Sequence, residues 1–202
     1  MTEDEAQGWI RERYGVSRET RLAAFVELLR DEAARQNLVA PSTLEQIWSR
    51  HIVDSAQLLA HAPDDGVWLD IGSGAGLPGI VVALLRDAPV ELVEPRKLRT
   101  DFLSRAAAEL GLADAAVHTA KIERTSGPAA VISARAVAQL GDLFRIAAHR
   151  STSSTVWVLP KGRNAQSEVA EARRKWHGSF HMEPSITAPD SLIVVAKGIR
   201  PR

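Results

Sequence analysis

The sequence predicts an α/β fold in which a mainly parallel sheet of seven strands follows a helical N-terminal extension. From Val67 onward, short apolar segments alternate with segments of helical periodicity, which is the pattern of repeated βαβ units. Up to about His61 the spacing of apolar residues is helical only. We therefore expect a helical extension over residues 1–62 and an α/β domain over residues 63–202, joined as one compact unit.

Two helix starts are indicated in the extension. Ser17 is suited to cap a helix whose apolar side consists of Leu22, Phe25, Val26, Leu28 and Leu29. The segment Ser42–Glu45 (STLE) matches a capping box, and the apolar stripe that continues from it consists of Leu44, Ile47, Trp48, Ile52 and Leu59. The turn signal Pro63–Gly66 then separates the extension from the domain.

The domain contains seven predicted strands, and the first is almost continuously apolar, which predicts burial on both faces. The strands are Val67–Ile71, Val90–Val93, Ala115–Thr119, Ala129–Ser133, Thr155–Leu159, Ser179–Glu183 and Leu192–Lys197. The helices between them are Gly79–Arg86, Arg96–Leu110, Ala138–His149 and Asn164–Trp176. In the second of these helices, the residues expected to face the sheet are Leu98, Phe102, Leu103, Ala106 and Leu110.

Composition excludes several classes of protein. The chain has 202 residues, 45% of them apolar and 25% charged, as in an ordinary globular protein. It has no cysteine, so disulfides, thiolate metal sites and cysteine nucleophiles are excluded, and we expect no metal site. No apolar stretch is long enough to cross a bilayer, and the N-terminus is acidic where a secretory signal would be basic. We therefore expect a cytoplasmic protein without membrane contact.

Charge is distributed unevenly, although the formal net charge is zero. The segment from Leu140 to Arg202 holds ten Lys or Arg residues and five Asp or Glu residues, so it carries +5 and the remainder carries −5. A basic region of this kind can dock phosphates without making the whole protein cationic. The alternative is that these residues lie on solvated helix faces.

A glycine-rich loop between the first strand and the first helix of the domain is the most informative segment. It is Asp70–Gly79 (DIGSGAGLPG), and it lies at the carboxyl end of a strand, where open α/β sheets bind ligands. Leu77 stands where a dinucleotide fingerprint has its third glycine, and the loop lacks the Lys and Ser/Thr of a P-loop. The spacing therefore favours a nucleoside cofactor without phosphates, S-adenosylmethionine, beside Gly72, Gly74 and Gly76.

Two further features agree with this cofactor. Glu94 ends the second strand about 20 residues beyond the glycines, where an acidic side chain can bind both ribose hydroxyls. Lys121–Glu123 follows the third strand, in a position to cover the adenine. The alternative for the loop taken alone is an ordinary βα turn.

Five segments of the chain, taken in order, closely resemble those of the RsmG family, also called GidB. They are Asn37–Leu38, Arg50–Ser55 (RHIVDS), Asp70–Gly79, Val131–Ala136 (VISARA) and Lys161–Gly162. The resemblance covers about Asn37 to Lys197. It implies a Rossmann-like class I S-adenosylmethionine-dependent methyltransferase. The implied substrate is N7 of a guanine in 16S ribosomal RNA near the decoding site, presented by the RNA or by the small ribosomal subunit.

The resemblance also implies which positions contact S-adenosylmethionine. They are Gly72, Leu77, Ile122, Glu123 and Arg135. Glu94 occupies the place of the family's acid, which is commonly Asp. The sequence departs from the family in the following helix, where a Lys-Arg pair usually precedes Phe-Leu: Leu98 replaces the Lys, while Arg99 matches.

The implied reaction needs no catalytic base. N7 of guanine carries a lone pair and no proton, and the sulfonium is already an excellent leaving group, so the enzyme's task is alignment with exclusion of water. We therefore predict no catalytic acid–base residue. His51 and Asp54, three residues apart on one helix face, are interpreted as fixing the extension against the sheet, an acid–base pair being the alternative.

Three basic residues are candidates for contact with RNA: Arg135, Lys161 and Arg163. Arg135 directly follows a buried strand at the ligand-binding edge and needs an anionic partner, which could be the cofactor's carboxylate, an RNA phosphate or a loop acid. Lys161 follows the fifth strand and is either an RNA contact or a surface lysine. The residues leave two other functions open: a nicotinamide-dependent oxidoreductase and a non-catalytic RNA-binding assembly factor. Leu77 argues against the first, because it stands where a dinucleotide fingerprint has its third glycine. They do not indicate the oligomeric state.

Overall fold

The computed structural model describes residues 1–202 and contains a single seven-stranded sheet. The strands are Trp68–Ile71 (β1), Val90–Glu94 (β2), Ala115–Thr119 (β3), Val131–Ala134 (β4), Val156–Lys161 (β5), Trp176–Pro184 (β6) and Leu192–Pro201 (β7). Their order is β3-β2-β1-β4-β5-β7-β6. The first five strands are parallel, and β7 lies antiparallel between β5 and β6. The predicted mainly parallel sheet is therefore confirmed.

Helices surround the sheet and form the whole regular structure of the first 61 residues. The α-helices are Glu3–Ala33 (α1), Asp54–Ala56 (α2), Gly79–Leu85 (α3), Lys97–Glu109 (α4), Leu140–Ala147 (α5) and Ala165–Lys175 (α6). Short 3-10 turns occupy Pro41–Gln46, Gln57–His61, Ile122–Arg124 and Ala148–Arg150, and a π-helical turn occupies Trp48–Val53. None of these helices has the combination of length and apolarity that a membrane-spanning helix requires.

The central strands β1 and β4 are buried throughout, and their successive side chains point to opposite faces of the sheet. Trp68 of β1 belongs to a core of 31 buried residues that includes side chains of α1, α3 and α4. Its neighbours Leu69 and Ile71 belong to a second core of 19 buried residues, which α5 and α6 cover. The near-continuous apolar character of β1 follows from this double burial.

The N-terminal helix is longer than its apolar pattern suggests. It begins at Glu3 with a capping box formed by Thr2 and Glu5, and it is kinked at Gly15, whose φ of 82° is not helical. The predicted helix near Ser17 is the second half of α1, and Ser17 makes no capping hydrogen bond. The first half escaped prediction because it is mostly polar and buries chiefly Ala6 and Ile10.

Two local predictions are wrong. Ser42–Glu45 forms part of a 3-10 turn that begins at Pro41 with Ala40 in the N-cap position, so Ser42 lies inside the turn and makes no cap. Leu98 does not face the sheet and is 72% exposed. It lies in the first turn of α4, beyond the carboxyl end of β2, so no strand lies beneath it.

Candidate active site

The glycine-rich loop leaves β1 at the carboxyl edge of the sheet, next to the point where the strand order reverses between β1 and β4. Gly72, Gly74 and Gly76 have φ values of 68°, 52° and 82°, which side chains with a Cβ rarely adopt. A Cβ on Gly79 would lie 2.1 Å from Cδ2 of Leu92, so glycine allows α3 to start directly against β2. The loop is therefore closely packed, and among residues 72–79 only Gly72 is partly exposed.

Glu94, at the end of β2, joins this loop. Its Oε2 accepts a hydrogen bond of 3.2 Å from the Gly74 N–H, and its Oε1 accepts one of 3.0 Å from the Arg96 N–H. The guanidinium of Arg99 lies 3.7 Å from Oε2, and the Glu94 side chain is only 3% exposed. The structure thus brings together the glycines and the acid that the sequence placed in one site.

The residues around this junction fit a nucleoside that carries an amino-acid tail. A Cβ on Gly74 would lie 3.4 Å from Nη1 of Arg99 and 4.0 Å from Oε2 of Glu94, so the loop backbone and these two charged groups lie close together. The carbonyl oxygens of Gly72 and Gly74 accept no hydrogen bond in the structure, which leaves acceptors for an ammonium group. Donors and acceptors of the right kind are therefore grouped at this loop.

Three other predicted cofactor contacts lie around the same edge. Ile122 begins the 3-10 turn after β3 and is 4% exposed, in the core that also contains Val93 at the end of β2. Glu123 is exposed beside it. Leu77 is 4% exposed with its side chain in the larger core, so only its backbone can face a ligand.

Asp70 is a buried anchor beneath the loop. Its Oδ2 accepts from the Gly79 N–H at 3.1 Å, and its Oδ1 accepts from the Ser133 hydroxyl at 2.8 Å. Ser133 in turn accepts from the indole N–H of Trp68. Burial raises the pKa of Asp70 to about 6, against the lowering effect of its hydrogen bonds. The Asp70 side chain thereby connects β1 to β4 and to the start of α3 by hydrogen bonds.

Arg135 emerges from β4 into a polar cluster contributed by the helical extension. Its Nη1 donates to Nδ1 of His51 at 3.2 Å and lies 3.5 Å from Oδ2 of Asp54. The side chain is 22% exposed, and burial lowers the pKa of its guanidinium, with Asp54 opposing the shift. Three anionic partners were considered from the sequence: the cofactor's carboxylate, an RNA phosphate and an acid of the protein. The structure shows the third, which is Asp54.

These contacts fix the protonation of His51. Because a guanidinium can only donate, Nδ1 of His51 carries no proton, and the ring proton lies on Nε2, 2.8 Å from the Thr43 hydroxyl. Burial first, and then the charges of Arg135 and Arg50, lower the pKa of His51 to about 4. His51 is therefore a neutral hydrogen-bond acceptor for Arg135 at neutral pH.

Asp54 connects the extension to the loop between β6 and β7. Its Oδ1 accepts from the Thr187 hydroxyl at 2.8 Å and from the Gln57 amide at 3.0 Å. The same Gln57 side chain bonds Ser185 and the N–H of Ile186. The interpretation that His51 and Asp54 fix the extension against the sheet agrees with these contacts.

A cavity of about 540 Å³ opens beside Arg135 at the carboxyl ends of β4 and β5. Lys161 borders it, but its ammonium is paired with Glu168 at 2.9 Å and donates to the carbonyl of Ala138 at 2.7 Å. Arg163 lies just after β5, is 84% exposed, and is 3.4 Å from the exposed Asp190. Lys161 is thus internally bonded, whereas Arg163 is accessible.

The segment between β4 and α5 covers part of the glycine loop. Ala136 has a φ of 55°, which is uncommon for a residue with a side chain. Val137, 41% exposed, places Cγ2 where it would be 2.6 Å from a Cβ on Gly72. This segment therefore lies between the loop and the cavity.

The basic C-terminal segment does not form one patch at this site. Arg150 is completely buried and paired with Glu91 at 2.9 Å, and Lys161 is bonded internally as described. Because β7 runs antiparallel to β5, with Leu192 opposite Lys161, its later residues Lys197–Arg202 lie toward the opposite edge of the sheet. The charge count of the sequence could not reveal this division.

Several residues of the site were not identified from the sequence as its members. They are Arg99, Val137, Thr43, Gln57, Thr187 and Glu168. Most come from segments distant in the chain, and polar residues in loops carry no periodic signal. Arg99 could have been found, since it matches the arginine of the family's Lys-Arg pair.

Comparison with known proteins identifies the family. A family model described as rRNA small subunit methyltransferase G (GidB) matches residues 18–189. Proteins named ribosomal RNA small subunit methyltransferase G are similar over nearly the whole chain. The one from Novosphingobium aromaticivorans is 48% identical over 98% of this chain and 89% of its own length. The one from Zymomonas mobilis is 43% identical over 100% and 96%.

Solved structures share the fold at low identity. The ribosomal protein L11 methylase of Lactobacillus delbrueckii subsp. bulgaricus has a TM-score of 0.60 at 14% identity, over 73% of this chain and 77% of that one. The tRNA methyltransferase TrmK of B. subtilis has a TM-score of 0.58 at 15% identity, over 72% and 65%. These likenesses place the sheet among methyltransferase folds, and none of the comparisons supports an oxidoreductase. With the family match, they show that the chain belongs to the rRNA small subunit methyltransferase G (GidB) family.

Proposed function

We propose that the chain transfers a methyl group from S-adenosylmethionine to N7 of a guanine in 16S ribosomal RNA near the decoding site, working in the cytoplasm. The observation that carries this proposal is the hydrogen bond between Glu94 and the glycine loop, beside the cavity that Arg135 borders. The names of the relatives support ribosomal RNA as the substrate.

S-adenosylmethionine would supply an activated methyl group on a sulfonium. In our proposal, Glu94 binds the ribose hydroxyls, and the free carbonyls of Gly72 and Gly74 accept from the ammonium of the amino-acid tail. Ile122 packs near the adenine, beside Glu123, and the backbone at Leu77 lines the loop. These residues hold the donor rigidly, which is the main contribution required of an alignment site.

The side chains around the cavity support a reaction without a general base. Asp54 is occupied by Thr187 and Gln57, and Glu168 is occupied by Lys161 and the N–H of Leu140. Both carboxylates therefore hold parts of the protein together. N7 of guanine needs no general base, because its lone pair is available without deprotonation.

RNA would approach across the carboxyl edge of the sheet. Arg135 and Lys161 border the cavity with their charges largely paired inside the protein, so they shape it and add positive potential. Arg163 is the accessible member of the three, and its ion pair between two exposed side chains is weak enough to be exchanged for a phosphate.

The test is methyl transfer to small ribosomal subunits from a strain in which this gene is disrupted, with methylated guanines mapped by mass spectrometry. We expect one N7-methylguanine in 16S RNA to appear with the protein and S-adenosylmethionine. Gly72→Arg should abolish transfer, because residue 72 has a φ of 68° and abuts Val137. Gly8→Ala, with no atom within 4 Å of its Cβ, is the control. Labelling of only a protein or a small metabolite would contradict the substrate, and full activity of Gly72→Arg would contradict the cofactor placement.

A further inference from the structure

On one face of the β6–β7 hairpin, Ile193 and Val195 belong to the larger core, and the side chains beyond them toward the end of β7 are exposed. In the register of the two strands, His177 lies opposite Arg200 and Ser179 lies opposite Lys197, with a bulge between the two pairs. Their neighbours Trp176 and Ile199 contact the smaller core, so these four side chains point to the other face. Phe180, Val194 and Ala196 point the other way, into the core beneath α5 and α6. Arg202, two residues beyond Arg200, continues the face of Arg200. We call His177, Ser179, Lys197, Arg200 and Arg202 the distal basic face.

All five residues of the distal basic face are exposed. Lys197, Arg200 and Arg202 form no ion pair, whereas six exposed arginines elsewhere are paired with an acid: Arg11, Arg30, Arg35, Arg105, Arg145 and Arg163. The acids of the surrounding segment are Glu183 and Asp190, and both lie toward the opposite edge of the sheet, near Leu192. The face therefore presents positive charge that the protein itself does not neutralise.

The neighbouring end of α6 adds to this charge. The N–H of Arg202 donates to the carbonyl of Lys175, which brings the end of β7 to the last turn of the helix. That turn carries Arg173, Arg174 and Lys175, and Arg174 is exposed without an ion pair. None of the large apolar side chains that are exposed in this protein lies on the distal basic face. A flat, polar and cationic surface of this kind suits phosphates better than an apolar protein partner.

The distal basic face lies far from the proposed site of methyl transfer. Leu192 of β7 is opposite Lys161 at the carboxyl edge, and the strand then runs to the other edge of the sheet. At about 3.3 Å per residue, the ten residues from Leu192 to Arg202 span roughly 30 Å. A ligand that touches both places must extend over about that distance, or roughly ten steps of a duplex at about 3.4 Å each.

We propose that the distal basic face binds the phosphate backbone of a second segment of the same RNA whose guanine occupies the cavity. This inference rests on the proposed function and extends it, because the enzyme would then recognise the shape of the RNA over about 30 Å. Phosphate contacts position a protein without reading sequence. The second contact favours a large, ordered RNA, as in the small subunit, over a short single strand.

The experiment compares two double variants in steady-state methylation of small subunits from the disrupted strain. Arg200→Gln with Arg202→Gln removes two unpaired charges from the distal basic face. Arg30→Gln with Arg145→Gln removes two charges that are paired with Glu27 and Asp142 and lie elsewhere on the surface. All four side chains are exposed, so both variants should fold.

For Arg200→Gln with Arg202→Gln, we expect the KM for subunits to rise about tenfold near 0.1 M salt, with kcat and the affinity for S-adenosylmethionine unchanged. The slope of log KM against log salt should fall by about 1.5, since each lost phosphate contact removes about 0.7 to 0.9. Equal KM values and equal slopes for the two double variants would overturn the proposal, as would a loss confined to kcat. Failure of the wild-type protein to methylate subunits would instead contradict the proposed function.

Discussion

Replacement of Glu94 by Gln tests the centre of the proposed site with a change of one atom. Both carboxylate oxygens of Glu94 accept from backbone N–H groups, those of Gly74 and Arg96. A glutamine side chain has one oxygen, so its NH₂ group must face one of these donors. The substitution therefore removes the charge, breaks one hydrogen bond to the loop and removes one acceptor for the ribose.

The magnitude follows from the strength of charge-assisted hydrogen bonds, about 1.5 to 3 kcal/mol each. Loss of one such bond to the ribose corresponds to a rise of about 10- to 100-fold in the Kd for S-adenosylmethionine. Loss of one bond to the buried loop costs about 2 kcal/mol of unfolding free energy, or about 4 to 8 °C in Tm for a chain of this size. Glu94→Asp keeps the charge but shortens the reach by one methylene, so its Kd should lie between those of wild type and Glu94→Gln.

Isothermal titration calorimetry with S-adenosylmethionine measures the affinity, and differential scanning calorimetry measures the stability. Glu109→Gln makes the same chemical change at a half-exposed position of α4 and serves as the control, with both values expected to match wild type. A folded Glu94→Gln protein that binds S-adenosylmethionine within twofold of wild type would refute the assignment of Glu94 to the ribose.

Two further predictions concern stability. Gly79→Ala should lower Tm by about 2 to 12 °C, since its Cβ would lie 2.1 Å from Leu92 and overpacking costs about 1 to 3 kcal/mol. Gly8→Ala in α1 should match the Tm of wild type or exceed it, and equal Tm values for the two variants would contradict the packing argument. The pKa of His51 is lowered from 6.5 to about 4, so its contribution to stability is complete above pH 6.5 and is lost as pH falls toward 4. In urea unfolding, the free energy of unfolding of wild type should therefore fall by about 2 kcal/mol more than that of His51→Gln between pH 7 and pH 5. Parallel profiles of unfolding free energy against pH for the two proteins would show that the neutral contact with Arg135 is not required for folding.

The regular part of the fold could be predicted because the central strands β1 and β4 are buried on both faces and helices such as α4 and α6 on one. Ala115–Thr119 has the predicted bounds, and most other predicted strands and helices differ from the observed ones by a few residues at their ends. The helical start at Glu3 was missed because a mostly polar half-helix has almost no apolar periodicity. Leu98 was misplaced because periodicity does not show where the sheet beneath a helix ends.

The candidate site was predictable where neighbours in sequence determine geometry, as in the glycine loop and at Glu94. The partners of Arg135 could not be predicted, because Asp54 lies about 80 residues away in the chain. A sequence also does not show which of several acids will lie next to a given arginine. Lys161 shows the same limit, since its pairing with Glu168 depends on how α6 packs against β5.

The helices before residue 62 are set apart by their secondary structure but not by their packing. Phe25 of α1 lies so near the glycine loop that a Cβ on Gly76 would be 3.2 Å from its ring, and Leu22 and Leu29 share one core with Trp68. A shortened chain that starts at the first strand would leave this apolar surface in water and Arg135 without its acid. The extension therefore shares its core with the sheet, and it cannot be removed without exposing that core.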